Sequence, residues 1–213
     1  MSSPPPPSSL THACRRKDFL EGLFRSNNIV HMGDDDEESI IRRVVDNCET
    51  MFLDRGYTDV RKSTASDQTS EIISVRPLVT ANEAVFLISE DDKIGVKLLR
   101  KILSGESRRI VIASNCGPTP FAKKECNCMN VQFLTIKFLT YNVSKHSLVP
   151  KHRLASPDKW KMFGDDVDLF PKILDTDPVI KYYDWPVGKI VEIERIYGGE
   201  EPVLYYRCIR AKS

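Results

Sequence analysis

The sharpest chemistry that this sequence offers is metal-dependent phosphodiester cleavage. Nucleases of that kind hold a divalent metal between an acid on one strand and an acid-x-Lys on the next. Asp91-Asp92-Lys93 follows a strand-like run, and Asp67 lies upstream. Asp91 and Asp92 also stand where a helix needs its N-cap, Lys93 joins a basic stripe, and Asp67 lies in a Ser/Thr-rich loop. A lone D-x-K is too common a tripeptide to carry catalysis, so no catalytic residue is assigned. Cys116, Cys126 and Cys128 point to zinc, yet structural zinc takes C-x-x-C-type pairs and this C-x-C has no fourth ligand nearby. His146 and His152 match neither a helical pair nor a finger. The thiols are read as unligated, no Cys/His nucleophile motif supports them, and no metal or cofactor is expected.

Polyanion contact is the next chemistry. Lys93, Lys97, Arg100 and Lys101 share one helix face and Arg108 and Arg109 follow, although a charged stripe opposite an apolar one is usually just the solvated face. Thr119-Pro120-Phe121-Ala122-Lys123-Lys124 is the better candidate, because a helix start aims free N–H groups outward and two lysines reinforce the attraction for phosphate. The pairs Tyr182-Tyr183 and Tyr205-Tyr206, with Trp160 and Trp185, fit an interface or the core of a small domain equally well.

These side chains need elements to position them. Residues 1–9 form a Ser/Pro tail too poor in core formers to fold, and 1–38 is expected to be a disordered extension ending in the acidic run 34–38. Ile41, Val44, Val45, Cys48 and Phe52 then repeat with helical spacing, and Gly56 supplies the stop. Strands are expected over 71–78 and 84–89, followed by a helix capped at Asp91 or Asp92 that buries Ile94, Leu98, Ile102 and Leu103. Strands over 109–114 and 131–139 flank a short helix opening at Thr119-Pro120, and together these make an α/β unit with crossovers. From residue 144 the elements shorten between prolines, and 188–195 with 203–209 read as a hairpin.

Composition excludes several classes. The hydrophobic share of 41% and charged share of 29% suit a globular protein. With 31 basic and 30 acidic side chains, and near balance on both sides of residue 143, the chain lacks the asymmetry of a free-standing nucleic-acid binder. No apolar run approaches the roughly 18–20 residues that cross a bilayer, and residues 4–7 are prolines where a signal peptide is apolar. Neither a membrane nor a small-molecule substrate is expected.

The ordered motifs resemble the fifth subunit of eukaryotic nuclear RNA polymerases, whose C-terminal domain corresponds to a small archaeal polymerase subunit. They run from Arg42-Arg43 and Phe52-Leu53-Asp54-Arg55-Gly56-Tyr57 through Val85-Phe86, Lys93-Ile94-Gly95-Val96-Lys97, Arg109-Ile110-Val111-Ile112 and Thr119-Pro120-x-Ala122-Lys123. His146-Ser147-Leu148-Val149-Pro150-Lys151-His152 is close to H-x-L-V-P-x-H. Phe170-Pro171-Lys172-Ile173, Asp177-Pro178-Val179 and residues 188–193 follow in the same collinear order. The resemblance implies an α/β (α+β) chain with two folded parts. These are a nuclease-like jaw domain without nuclease activity over 39–143 and a small mixed C-terminal assembly domain over 144–213. It also implies a non-catalytic subunit of a nuclear DNA-directed RNA polymerase. Its expected partners are the largest subunit, other subunits, and downstream double-stranded DNA within the complex. Thr119, Pro120, Lys123 and Lys124 are the DNA-side candidates. His146, Leu148, Val149, Pro150, His152, Pro171, Asp177, Pro178, Lys181, Tyr182 and Arg207 are the candidates for the subunit interface. A nuclease of related fold and a free-standing transcription adaptor are the alternatives.

Departures from the family are informative. D-P-V-A-R-Y becomes Asp177-Pro178-Val179-Ile180-Lys181-Tyr182, replacing a forked guanidinium with a point charge. The S-E-T-A-G turn becomes Tyr197-Gly198-Gly199-Glu200-Glu201, and Asp184-Trp185-Pro186-Val187 replaces a glycine and basic residues. A subunit shared by three polymerases must keep one docking surface. These changes therefore suggest a paralogue serving one enzyme, RNA polymerase I first, with a nuclear and nucleolar location. Ile180, Lys181 and 197–201 are the expected selectivity surface.

Overall fold

The computed structural model describes residues 37–63, 75–89, 91, 93–104, 106–126, 130–161, 164, 166–196 and 201–212. The tail at 1–9, the acids at 34–36, Asp67, Asp92, Cys128 and the turn residues 197–200 lie outside them. The chain divides into two compact units between Tyr141 and Asn142. Both mix helices with a sheet of their own, an α+β arrangement.

Helix α1 (Glu37–Asp54) follows its apolar spacing: Val44, Cys48, Met51 and Phe52 are buried at i, i+4, i+7 and i+8. Gly56 stops it at φ +85°, where a Cβ costs about 1–2 kcal/mol. The Gly56 N–H donates to Leu53 O (2.9 Å) and the Tyr57 N–H to Phe52 O (3.1 Å), which satisfies the last carbonyls. The Phe52 and Tyr57 rings, 5.2 Å apart, supply the apolar contact that goes with such an end. The D-R-G-Y run is therefore a helix stop with its own clasp.

Strands β1 (Arg61–Lys62), β2 (Val75–Thr80), β3 (Ala84–Ser89), β4 (Arg109–Ser114) and β5 (Val131–Thr135) form one sheet in chain order. The first three are antiparallel and the last three parallel. Every residue of β3 is buried, as a strand covered on both faces requires. Val85, Leu87, Ile110 and Ile112 pack with Leu99 and Ile102 of α2 (Val96–Ser104) and Ala122 of α3 (Pro120–Cys126). Phe86 points the other way and meets Phe52 edge-on at 6.5 Å. The first unit is thus a sheet between α1 and the α2/α3 pair.

Three expectations change. Helix α2 begins at Val96, not at Asp91 or Asp92: Gly95 O accepts its first bond, from Leu99 N–H at 3.1 Å. Ile94 is buried by bridging to Pro118 as a strand residue, so Leu99 takes its place in the helical stripe. The strand expected over 131–139 stops at Thr135, whose Oγ1 accepts from Phe138 N–H (3.3 Å) and starts the one-turn helix α4 (Ile136–Leu139). The strand expected over 71–78 is described from Val75 and runs on to Thr80, with a register shift between Pro77 and Val79 where proline withholds a donor.

The second unit contains β6 (Lys151–Leu154), α5 (Pro157–Trp160), β7 (Lys172–Leu174), α6 (Pro178–Tyr183), β8 (Ile190–Arg195) and β9 (Val203–Arg210). The sheet order is β6-β8-β9-β7, antiparallel except for β7 beside β9. Its core gathers Ile173, Val191, Ile193 and Ile209 under Ile180 of α6, with Trp185 packed against them.

Nothing lies within 4 Å of a Cβ added at Gly56, so Gly56→Ala meets only backbone strain and costs about 1–2 kcal/mol. Phe52→Ala empties the α1 contact and costs about 3–5 kcal/mol. Urea unfolding of both variants checks the order and the gap.

Candidate interface surfaces

In open α/β sheets, ligands collect beyond the carboxyl ends of the parallel strands. Here those ends are Ser89, Ser114 and Thr135. The loops beyond β3 and β4 are laced by main-chain bonds, Ile94 N–H to Gly117 O (3.1 Å) and Thr119 N–H to Ile94 O (3.0 Å). Thr119 opens α3, its Oγ1 accepting from Ala122 N–H (3.3 Å) and its carbonyl from Lys123 N–H (2.9 Å). Pro120 takes the first helical position, where no N–H is needed. Phe121 (76% exposed) follows at the helix start, and Lys123 and Lys124 are exposed in its last turn. Arg100 is spent differently, bound to Glu125 at 2.6 Å, while Lys97 and Lys101 are exposed. The acid-x-Lys group gains no geometry, because Asp91 and Lys93 are exposed in a bend after β3. Among the described residues no three His, Cys, Asp or Glu side chains gather as a metal set. Cys116 is an exposed thiol, and neither Cys128 nor the Cys126 side chain is among the described groups.

In the second unit the Asp177-Pro178-Val179 motif builds a helix. The Asp177 carboxylate accepts from Val179 N–H (2.9 Å), Pro178 follows at the first position, and the chain leaves α6 through Asp184 at φ +56°. Lys181 points outward. Two expectations are corrected here. Ile180 is 1% exposed and fills the core, so the change from Ala to Ile repacks the interior and does not reshape a surface. Tyr182, expected at the interface, is also buried, and its hydroxyl accepts from Asn142 Nδ2 (3.2 Å).

The His146–His152 run is a turn leading into β6. His146 O accepts from Val149 N–H (3.0 Å) and His146 Nδ1 from Leu148 N–H (3.2 Å), leaving Leu148 85% exposed and Val149 and Pro150 half-buried. His152 Nδ1 lies 2.6 Å from Pro150 O, and since a carbonyl only accepts, Nδ1 carries the proton. Burial holds His152 below the usual histidine range despite that bond. Pro171 is exposed, its carbonyl accepting from Cys208 N–H (2.8 Å), and Arg207 is half-buried with Nη1 3.4 Å from Lys172 O.

Glu192 was not singled out by sequence reasoning. It is 1% exposed on β8 and accepts from Arg153 Nε on β6, Tyr206 OH on β9 (3.0 Å) and Lys159 Nζ on α5 (3.4 Å). The strand registers set Arg153, Glu192 and Tyr206 side by side. Burial pushes the carboxyl up, but the three donors outweigh it and hold it below the ordinary glutamate range. Polar alternation at Glu192 and Glu194 was the only signal in the sequence, and it points to solvent. Large apolar side chains are also unevenly exposed among the described residues: nine lie in the second unit, with Leu148 and Leu169 (79%) foremost, against three in the first.

The family described as RNA polymerase Rpb5, C-terminal domain, matches residues 141–209. The chain is 27% identical over 197 residues to DNA-directed RNA polymerases I, II, and III subunit RPABC1 of Caenorhabditis briggsae, covering 77% of this chain and 93% of that protein. It is 37% identical over 73 residues to DNA-directed RNA polymerase subunit Rpo5 of Methanosphaera stadtmanae, covering 32% of this chain and 95% of the archaeal one. It is also 26% identical over 104 residues to DNA-directed RNA polymerases IV and V subunit 5B of Arabidopsis thaliana, covering 47% and 48% of the two chains.

Two acid effects follow for the second unit. His152 has a folded value below its unfolded one of about 6.5, so its contribution is present above that pH and is lost as pH falls through the folded value. Glu192, also lowered, contributes above about pH 4.3 and loses its contribution below it. His152→Asn should flatten the stability slope that begins near pH 6.5, and Glu192→Gln should cost about 1–3 kcal/mol at neutral pH and flatten the more acidic limb. Chemical denaturation across pH checks both.

Proposed function

This chain belongs to the Rpb5 family of RNA polymerase subunits, and we propose that it works by being held in a polymerase and holding a domain beside the DNA. It is a subunit of a DNA-directed RNA polymerase, its partners include other polymerase subunits, and its role in that complex is accessory rather than catalytic. The second unit, set off near residue 144, is the assembly domain and docks on the largest subunit. The uneven exposure of large apolar side chains, concentrated in that smaller unit, carries this assignment. His146, Leu148, Val149, Pro150, His152, Pro171, Pro178, Lys181 and Arg207 form the contact surface. Asp177 and Tyr182 act behind it, one capping α6 and the other packing beneath it.

The first unit is the jaw near downstream duplex DNA, with Thr119, Pro120, Lys123 and Lys124 toward the phosphates. Near-neutral charge fits a DNA contact that the complex holds in place, since free binding to duplex DNA relies on several cation–phosphate contacts. The location is nuclear. Specialisation for one enzyme is supported by the Lys181 exchange and by the Arabidopsis relative named for polymerases IV and V, and RNA polymerase I, with the nucleolus, is the enzyme we propose first. With Ile180 in the core, Lys181 and the 197–201 segment are left to carry selectivity.

Affinity purification of the tagged chain with mass spectrometry tests membership and class together. One largest subunit should dominate the recovered material. Equal recovery of three would end the specialisation, and migration apart from every polymerase subunit would favour a free-standing adaptor. In the assembled complex, Lys123→Glu with Lys124→Glu should lower crosslinking to duplex DNA without lowering co-purification.

A further inference from the structure

We propose that the face of the second sheet beside α6 receives an acidic, extended protein segment gripped by Arg195 and Arg207. This rests on the assignment of the second unit as one held by a partner protein, and it names the chemistry of that partner. The strand registers put Val191, Ile193 and Arg195 of β8 on one face with Arg207, Tyr205 and Val203 of β9, and set His152 and Leu154 of β6 opposite Ile193 and Val191. Helix α6 covers the Val191, Ile193 and Ile209 part of that face. Beyond it, Arg195, Val203, Tyr205 and Leu154 are exposed, with Arg207 and His152 half-buried.

Charge is segregated between the two faces. Both acids of the sheet strands, Glu192 and Glu194, point to the opposite face, where Arg153 and Lys159 answer them. On the α6 face, Asp177 is the acid whose field reaches His152, and its carboxylate caps α6. Among the described residues neither Arg195 nor Arg207 has a carboxylate partner. Arg195 instead lies over the Tyr205 ring at 5.6 Å, and Arg207 reaches only the Lys172 carbonyl. The two cations therefore flank an aromatic ring on a surface that also shows Leu154 and Val203. Arginine and tyrosine set among aliphatic side chains favour a protein over a nucleic acid, whose phosphates would be met by cations without apolar neighbours. On β9 the levels of Arg195 and Arg207 are four residues apart, about 13 Å, so the complement is a segment with separated carboxylates rather than a single ion.

The test uses the full chain, with backbone and methyl signals followed by NMR against three probes: a short peptide alternating Glu and Val, the same peptide with Lys for Glu, and a short DNA duplex. The acidic peptide should shift signals of Arg195, Tyr205 and Arg207. Its binding should weaken at least about tenfold in Arg195→Glu with Arg207→Glu, and that variant should gain binding to the lysine peptide. Unchanged Ile193 and Ile209 methyl signals would show that the variant is folded. Absence of shifts with the acidic peptide, equal binding of both peptides to the unaltered chain, or displacement by the duplex would overturn the proposal. None of these outcomes bears on polymerase membership, which co-purification decides separately.

Discussion

A buried carboxylate has to be neutralised, and the second unit is organised around how that is done for Glu192. Three donors converge on it from two strands and a helix, tying β6, β8, β9 and α5 through one side chain. Removing a charge from water costs several kcal/mol unless it is paired and hydrogen-bonded, so this face is specified by the need to satisfy one group. The same arrangement draws the strand acids and their cations to one side of the sheet. What stays on the other side is apolar under α6 and cationic beyond it. A helix of six residues covers only part of a four-stranded sheet, and the uncovered remainder is where a partner has room to act.

In the first unit the governing requirement is burial of β3 on both faces. It places α1 on one side and α2 with α3 on the other, and leaves the carboxyl ends of the parallel strands as the open end. That end is where enzymes of this architecture keep their sites. Among the described residues it carries the Thr119-Pro120 start of α3, with Phe121 exposed and two lysines in that helix's last turn, and no three acids gather there. The position suits contact with an extended anion, while the side chains described there do not suit bond-breaking.

Legibility tracked the range of the interactions involved. The α1 stripe, the Gly56 stop and the Thr119-Pro120 start are each decided within a few residues, and each stands where the sequence indicates. The start of α2 was missed because Ile94 is held by a bridge to Pro118, a partner on another loop. Val131 onward reads as one β run, yet a single threonine hydroxyl at Thr135 diverts it into a helical turn. All five interface candidates in the His146–His152 run are at least partly exposed, whereas the interface candidate Tyr182 and the selectivity candidate Ile180 are buried.

By itself the sequence determined the kind of protein: its periodicities, caps and ordered motifs specify the two folded regions and the family, because these depend on local backbone chemistry and on which residue types stand in line. Only the tertiary structure decided which side chains are surface. Ile180 and Lys181 are neighbours in the chain, and one is core while the other is solvent, because a helix laid on a sheet separates adjacent residues by about 100°. Glu192 looks like an outward strand residue until strand pairing brings Arg153 and Tyr206 beside it from 39 and 14 residues away. Which charges are paired, and which two arginines are left for a partner, is settled by strand register, a property that no local stretch of the sequence contains.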